Sequence, residues 1–474
     1  MPSPLVERVS EYELRIPRRG SMCVEASIYA SKKIRLEDTA LRQLVDGASI
    51  PSIRRALATP DIHQGYGVPI GSVLGLEEVV VPAAVGFDIN CGMRVLTTSL
   101  RADAVDLRRL AASARRDIPL GEGKANISLS RSDLNQVLAW GVSGLLDIKR
   151  SGHRVWSAWD NDEERANIFR IEDGGSLDGD PAALSATAVS RGKDQLGSLG
   201  GGNHFVEFQV VHDISDPALA ARFGFFSGQL VVMIHSGSRG LGHQVGKEYM
   251  RLAAESTGSR SPVPYLELAK PGGKKYVGAM HAAANFAFAN RHLMGTLVKN
   301  DILHHYPDAH VKLLYDVPHN IAKFERHDRR TLLVHRKGAT RAFGPRRMAG
   351  SSFADTGQPV LIPGSMGTSS YVLAGVDGAE HSLDSVNHGA GRVMSRTEAA
   401  GKWRKGKMTR PPAVSDEEFE RAMEGVILIA GSARGIKEEA PQAYKDIDAV
   451  VESVLGAKLA RTVVRTRPLA VLKG

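Results

Sequence analysis

The sequence predicts an α+β fold: a single large domain over residues 1–474, built of mixed β-sheets with flanking helices around a central cleft. Three observations lead there. Short β-branched runs such as Val79–Val81, Phe205–Val211 and Gln229–His235 are interspersed with longer stretches of helical spacing. Strings rich in His, Asn, Gly and Cys cluster at the ends of such runs, and they are spread over positions 61–94, 191–207, 235–243, 316–341, 363–370, 387–396 and the last residues. No tandem repeat, low-complexity tract or Pro/Gly/Ser linker divides the chain, so one site drawn from that whole range requires one domain.

In chain order, residues 36–58 have partly helical spacing and are expected to end before Thr59-Pro60, where proline cannot continue a helix. Val79 to Val85 reads as a short buried strand that stops at the Gly86-Phe87-Asp88 loop. Residues 132–148 and 276–299 read as helices, the second Ala-rich. Phe205–Val211 and Gln229–His235 read as strands with metal-type residues at their ends. Residues 398–409, with Lys402-Trp-Arg-Lys-Gly-Lys407, form a basic loop that suits either a solvated face or an RNA contact. Ser415-Asp-Glu-Glu418 is a capping box opening a helix through Phe419 to Ile427.

Hydrophobic residues make up 42% and charged residues 24% of the chain, which supports a sizeable core. The first 20 residues carry seven charged side chains and no apolar stretch, and no run reaches the roughly 18–20 apolar residues of a membrane span. A cytoplasmic protein is expected. Only two cysteines exist, which excludes a disulfide framework. Cys23 is expected to be a small buried hydrophobe. A net charge of +9 and a pI near 9.4 favour a polyanionic partner.

Asp88-Ile-Asn-Cys91 sets a carboxylate and a thiol three residues apart beside a glycine turn. Alone it is weak, but His204, His235 and His319 each lie at the edge of an apolar strand or a Pro turn. Together these five offer N, O and S ligands for a divalent transition metal, with Zn, Mn, Fe and Co all open on first principles. A bound cation would make Cys91 a thiolate able to bridge two ions. Ser198-Leu-Gly-Gly-Gly-Asn203 resembles a phosphate loop only loosely. Pro363-Gly-Ser-Met-Gly-Thr-Ser-Ser370 supplies hydroxyls and backbone N–H groups that could cradle phosphate or a base. His388-Gly-Ala-Gly-Arg392 offers an accessible imidazole, a candidate nucleophile toward phosphorus, beside an Arg suited to phosphate. Asp61-Ile-His63-Gln-Gly65 suits general-base work or RNA contact. His335-Arg-Lys-Gly-Ala-Thr-Arg341 reads as a phosphate-backbone clamp. No Walker string is present.

In this order, these strings resemble the RtcB family of RNA-splicing ligases. The resemblance rests on Pro60–Gly67, Val85–Gly92, Leu199–Phe205, His235–Gly240, His319-Asn320, His335–Arg341, Pro363–Met366, His388–Arg392 and the Lys473-Gly474 end, and covers essentially the whole chain. Residues 150–184 match only in outline. The resemblance implies a GTP- and Mn²⁺-dependent ligase joining a 3′-phosphate or 2′,3′-cyclic phosphate RNA end, for example of a tRNA half, to a 5′-hydroxyl end. It implies two Mn²⁺ per chain, one on Asp88, Cys91 and His204, the other on Cys91, His235 and His319. His388 would carry GMP, with Asp61 a candidate general base. Asn203, His204, Phe205, Val206, Glu207, His319, Asn320, Pro363, Gly364, Ser365, Met366, Ser370, Gly389, Ala390, Gly391 and Lys473 would surround the nucleotide, Glu207 and Lys473 as its polar guanine and ribose-side contacts. An archease-type activator is a candidate partner. The competing readings are a metal-dependent 2′,3′-cyclic phosphodiesterase without ligation and a non-catalytic basic RNA-binding protein.

Overall fold

Two sheets carry the architecture of the computed structural model, which describes residues 6–148, 150, 152–404, 407–431 and 435–474. The first has seven strands in the order Glu7–Arg8, Glu13–Ile16, Ala26–Tyr29, Ile53–His63, Ile70–Leu76, Arg330–Lys337 and Asn320–His327. The second has eight. Val311–Pro318, Gly92–Arg101, Gln229–Ser236, Phe205–Ile214, Ala460–Lys473, Ser370–Gly375 and Pro359–Ile362 run in order, and Ile427–Ala430 pairs in parallel with Ala460–Lys473. The edge strand Val311–Pro318 passes through His319 into Asn320–His327, so one histidine joins the two sheets.

Alternation along the second sheet separates its faces. Val206, Phe208, Val232, Ile234, Ala470 and Leu472 pack into a helical layer. Phe205, Val231, Met233 and Val471 face the other way, into a second cluster. The helical layer centres on Pro271–His305, a 35-residue helix whose Ala-rich middle is wholly buried against the sheet. Leu57, Val73, Leu332 and Val334 of the first sheet meet Val360, Ile362 and Leu373 of the second in a further cluster. Mixed sheets with flanking helices, as expected, surround one cleft. No helix among the described residues is long and apolar enough to cross a membrane.

Polar side chains in the middle of the long helix are buried too, Asn290 and Arg291 among them, and these hold neighbouring backbones. Arg291 donates to both Asp316 oxygens and, through Nη1, to the Asn90 carbonyl at 2.6 Å and the Ser236 carbonyl at 3.0 Å. Arg94 Nε meets the same carboxylate at 2.9 Å. Asn290 Nδ2 donates to Ser236 Oγ and the Gly237 carbonyl, both at 3.2 Å.

Several boundaries differ from expectation. The first helix is Asp38–Gly47, and Ile53–His63 is a strand that contains Thr59-Pro60. Proline is accommodated because the pairing with Ile70–Leu76 breaks between Ala58 and His63, so no ladder bond is asked of Pro60. Only Val79–Val80 is strand before a single 3₁₀ turn, Pro82–Ala84, where proline fits the first helical position. The helix expected at 132–148 is Arg131–Gly144, and the one at 276–299 extends to Pro271–His305. The capping box forms, but its helix ends at Ala422 and Ile427 begins a strand, because pairing with Ala460–Lys473 claims that residue. The basic loop is a two-stranded ribbon, Lys402–Arg404 with Lys407–Arg410, and residues 405–406 lie outside the described residues. Cys23 is exposed, since Met22 takes the inward position beside it.

Burial pushes the Asp316 carboxyl up, but Arg291 and Arg94 outweigh it and hold it below the usual carboxylate range. Its stabilisation is therefore complete at neutral pH and is lost as pH falls below about 4 through the lower folded value. Asp316→Ala strands two buried guanidinium groups and should cost about 3–5 kcal/mol, read as a lower denaturant midpoint. An unchanged midpoint would contradict this role.

Candidate functional site

Sheet register builds the centre. Gly92 lies opposite Ser236 on one side and Pro318 on the other, while Phe205 lies opposite His235 and Lys473. Cys91, His204, His235 and His319 therefore emerge at one level from four strand ends separated by up to 228 residues of chain (91 to 319). His319 N–H donates to the Cys91 carbonyl at 2.8 Å and reinforces that level.

Cys91 Sγ is 3.3 Å from His204 Nε2 and 3.2 Å from His235 Nε2. His235 Nε2 is in turn 3.2 Å from His319 Nε2, and Asp88 Oδ2 is 2.8 Å from His204 Nε2. Ser238 N–H donates to Asp88 Oδ1 at 3.0 Å. Gly237 must be glycine, because a Cβ there would collide with the Asp88 carboxylate. Burial pushes the Cys91 thiol well above its usual range, with Asp88 adding to the effect. Burial and the neighbouring imidazoles push His235 and His319 well below theirs. Three imidazole Nε2 atoms, a thiol and a carboxylate thus converge with more lone pairs than protons to fill them. Cys91, His204 and His235 present ligand atoms within 4.8 Å of one another. That donor set fits a thiophilic divalent cation, which would invert the electrostatics and stabilise the thiolate.

Next to this centre, the rings of His319 and His388 meet edge to face at 4.9 Å. His388 Nδ1 lies 2.5 Å from Asp61 Oδ2, which also accepts from the His388 backbone N–H at 3.2 Å. Asp61 Oδ1 accepts from Thr59 Oγ1 at 2.6 Å. Burial pushes the Asp61 carboxyl up, but His388 and Thr59 outweigh it and leave it below the usual range. An anion so placed keeps a proton on Nδ1 and leaves the Nε2 lone pair free. Asp61 has no exposed surface, so it acts on the cleft only through His388.

Lys445 fixes the two backbones that carry this pair. Its Nζ donates to the carbonyls of Pro60 at 3.1 Å and Ile62 at 2.6 Å, and its backbone N–H to the Gly391 carbonyl at 2.9 Å. Burial lowers the Lys445 ammonium to about 8. Gly391 has φ +73°, and a Cβ there would strike the Asp61 backbone.

The cleft encloses about 390 Å³ and is lined by Asp88, Cys91, Asn203, Phe205, His235, His319, Asn320, the 363–366 turn, His388 to Gly391 and Lys473, among others. Its size suits a nucleotide. The remaining expected residues sit behind the wall. His204 is buried against Cys91. Val206 packs into the helical layer. Glu207 and Gln209 share the Phe205 face, where Gln209 Nε2 donates to Glu207 at 2.6 Å and to Ser370 Oγ at 3.2 Å. Ser370 Oγ accepts from Gly364 N–H at 3.2 Å. Burial raises the Glu207 carboxyl to about 7, partly opposed by Gln209 and Lys473. Lys473 Nζ lies 5.7 Å from the centre of the Phe205 ring. Asn320 braces the centre, donating to the Asp88 carbonyl at 3.2 Å and accepting from Gly338 N–H at 2.8 Å.

Some sequence expectations fail here. The clamp at 335–341 is no clamp. His335 and Arg336 are buried on opposite faces of a central strand that is covered on both sides, Arg336 on Glu325, and Arg341, on the short strand that follows, is buried on Asp173. Lys337 alone reaches the cleft, its Nζ on the carbonyls of Tyr66 at 2.7 Å and Val68 at 3.0 Å, lowered by burial to about 7. Arg392 is occupied by Glu439 at 3.0 Å and the Glu438 carbonyl at 2.6 Å. His63 pairs with the Asp61 carbonyl at 2.8 Å and is lowered by burial to about 4. Thr59, Glu439 and Lys445 are functional neighbours that no sequence motif marks.

Fold and site together define a mixed-sheet protein in which a metal-type centre abuts a carboxylate-held histidine at the floor of a nucleotide-sized cleft. The chain belongs to the RtcB family: residues 43–474 match the family model described as tRNA-splicing ligase RtcB. It is 39% identical over 502 residues to the tRNA-splicing ligase RtcB of Thermococcus kodakarensis, covering 99% of each chain. It is 40% identical over 501 residues to that of Pyrobaculum aerophilum, again covering 99% of each. To the RNA-splicing ligase RtcB of Mycobacterium tuberculosis it is 42% identical over 454 residues, covering 91% of this chain and all of the other.

The two thiols should differ in reactivity. In metal-free native protein a thiol reagent should label Cys23 promptly and Cys91 only after unfolding, because a buried, protonated thiol is a poor nucleophile. Equal labelling rates would contradict the geometry of the centre.

Proposed function

We propose that this protein is an RNA ligase of splicing or repair that joins a 2′,3′-cyclic phosphate or 3′-phosphate RNA end to a 5′-hydroxyl end at the expense of GTP. The observation that carries this reading is His388, held through Nδ1 by buried Asp61 with its other nitrogen free beside a metal-type centre. A hydrolase can use a carboxylate-held imidazole as general base, so uptake of GMP at His388 is what separates this reading from the cyclic-phosphodiesterase alternative. A non-catalytic RNA binder has no need of the buried thiol and imidazoles.

In this reading Asp88, Cys91 and His204 would hold one ion and Cys91, His235 and His319 a second. Two Mn²⁺ ions so held would neutralise phosphate charge and polarise phosphoryl oxygens. His388 Nε2 attacks the α-phosphorus of GTP, forming a P–N bond as pyrophosphate leaves. Asp61 stabilises the charge that develops on the ring and acts through His388, not as a base on water. The RNA 3′-phosphate then takes GMP from His388, which converts a poor electrophile into an activated diphosphate. The 5′-hydroxyl attacks that phosphorus and GMP leaves. A cyclic phosphate is first opened by water. Phe205, Lys473 and the 363–366 turn receive the nucleotide, and Glu207 and Ser370 back this lining, with Glu207 and Lys473 as the polar groups offered to it. RNA ends of tRNA-half type are the substrate class, and an archease-type activator is a candidate partner.

Incubation with Mn²⁺ and GTP labelled at the α-phosphate should leave acid-labile label on the wild-type protein. His388→Ala should take up none while binding metal normally, and Asp61→Asn should label about 100-fold more slowly. Loss of metal from His388→Ala would refute this division of roles. Absence of label from wild type with metal bound would favour the cyclic-phosphate hydrolase. Cys91→Ala should lose both metal, measured by elemental analysis, and label. Full ligation by that variant at saturating Mn²⁺ would refute a shared thiolate.

A further inference from the structure

At the mouth of the cleft three rings form a ladder that the scheme above leaves unused. Tyr66 meets Phe87 with ring centres 5.6 Å apart, and Phe87 stacks on His243 at 5.2 Å with 25° between planes. Tyr66 is 62% exposed and His243 is also exposed, while Phe87 between them is half-buried. Tyr66 and Phe87 line the same cleft as Cys91 and His388, and Phe87 directly precedes Asp88.

The backbones that carry Tyr66 and Phe87 are fixed, and the two rings are tilted by 49°. The Tyr66 carbonyl accepts from Val68 N–H at 3.0 Å and from Lys337 Nζ at 2.7 Å. Gln43 holds Gly65 on both sides, donating to its carbonyl at 2.6 Å and accepting from its N–H at 3.0 Å. Behind Phe87 the helix Arg239–Thr257 packs so closely that a Cβ at Gly246 would lie 3.1 Å from the Phe87 Cα. An exposed ring with an immobilised backbone loses little freedom on binding a flat partner. Exposed Lys247 follows His243 by one helical turn and adds a cation beside the rings, while the Glu37 carboxylate on the other flank is taken up by Gln64 N–H at 3.3 Å. Flat, π-faced and anionic describes a single-stranded nucleic acid, whose bases stack on such rings irrespective of sequence. A protein partner would call for a broader apolar area than a single-file ladder.

We propose that Tyr66, Phe87 and His243 are a stacking platform for unpaired bases of the RNA end whose phosphate is delivered to the centre. This rests on the RNA-ligase reading and adds to it a preference for a single-stranded terminus.

The test uses the full-length protein with Mn²⁺ and no GTP. The probe is a short oligoribonucleotide with a 3′-phosphate and 2-aminopurine as its last base, set against the same strand with an abasic last residue. Wild type and Tyr66→Trp should quench the 2-aminopurine. Tyr66→Ala and His243→Ala should quench less and bind about tenfold more weakly. Abasic RNA should bind wild type as weakly as base-bearing RNA binds Tyr66→Ala, and Tyr66→Ala should not weaken it further. Unchanged affinity in Tyr66→Ala, or an equal loss on both RNAs, overturns the platform. The GMP-labelling experiment separates the two readings. Label with unchanged RNA affinity in Tyr66→Ala sinks the platform alone, and base-dependent quenching without label sinks the ligase reading alone.

Discussion

Everything at the centre depends on four strand ends being level, and one buried guanidinium enforces that. Arg291 reaches from the long helix to the carbonyls of Asn90 and Ser236, the residues that flank Cys91 and His235. Its other nitrogens are held by Asp316 on a third strand, three residues before His319. Ligand-bearing backbones from three strands are thereby referred to one planar, charged group. A charge of this kind is costly to bury, and the cost is met only when every donor finds its acceptor. A slip of one residue in any of these strands would turn its ligand to the opposite face and leave Arg291 unsatisfied.

Burial then sets the chemistry. The same exclusion of water that keeps the Cys91 thiol protonated and the His235 and His319 rings neutral makes the pocket receptive to a cation. A few ångströms away the sign is reversed. Asp61 stays anionic despite complete burial because His388 and Thr59 hydrogen-bond to it, and its charge is spent on orienting one ring. Glu207, with no such partner beyond Gln209 and a distant lysine, is instead raised toward neutrality. Two buried carboxylates thus take different states from their hydrogen-bond partners, which leaves one to position a nucleophile and the other to meet a ligand.

What was legible in the sequence was local. Glycine and asparagine beside His, Cys and Asp announce turns where a bulky ligand can approach, and alternating β-branched runs announce strands, so Asp88, Cys91, His204, His235, His319 and His388 could be named without a fold. The family resemblance added their order. The clamp expected at 335–341 failed because a run of basic residues says nothing about whether its strands are buried; here Arg336 lies on a strand between two neighbours and turns in to Glu325, and Arg341, on the short strand that follows, turns in to Asp173. Pro60 misled for a related reason: a break in pairing removed the hydrogen bond that proline cannot make.

By itself, then, the sequence determined the kinds of donor present, the mixed α+β character and the strand ends on which the donors sit, since these follow from side-chain chemistry and short-range periodicity. Only the tertiary structure decided that Cys91 faces two imidazoles with a third beyond His235, that Asp61 serves His388, and that Lys445 ties their two backbones together. Those facts depend on pairing between residues up to several hundred positions apart, and long-range register is set by the packing of the whole sheet and the buried charges behind it.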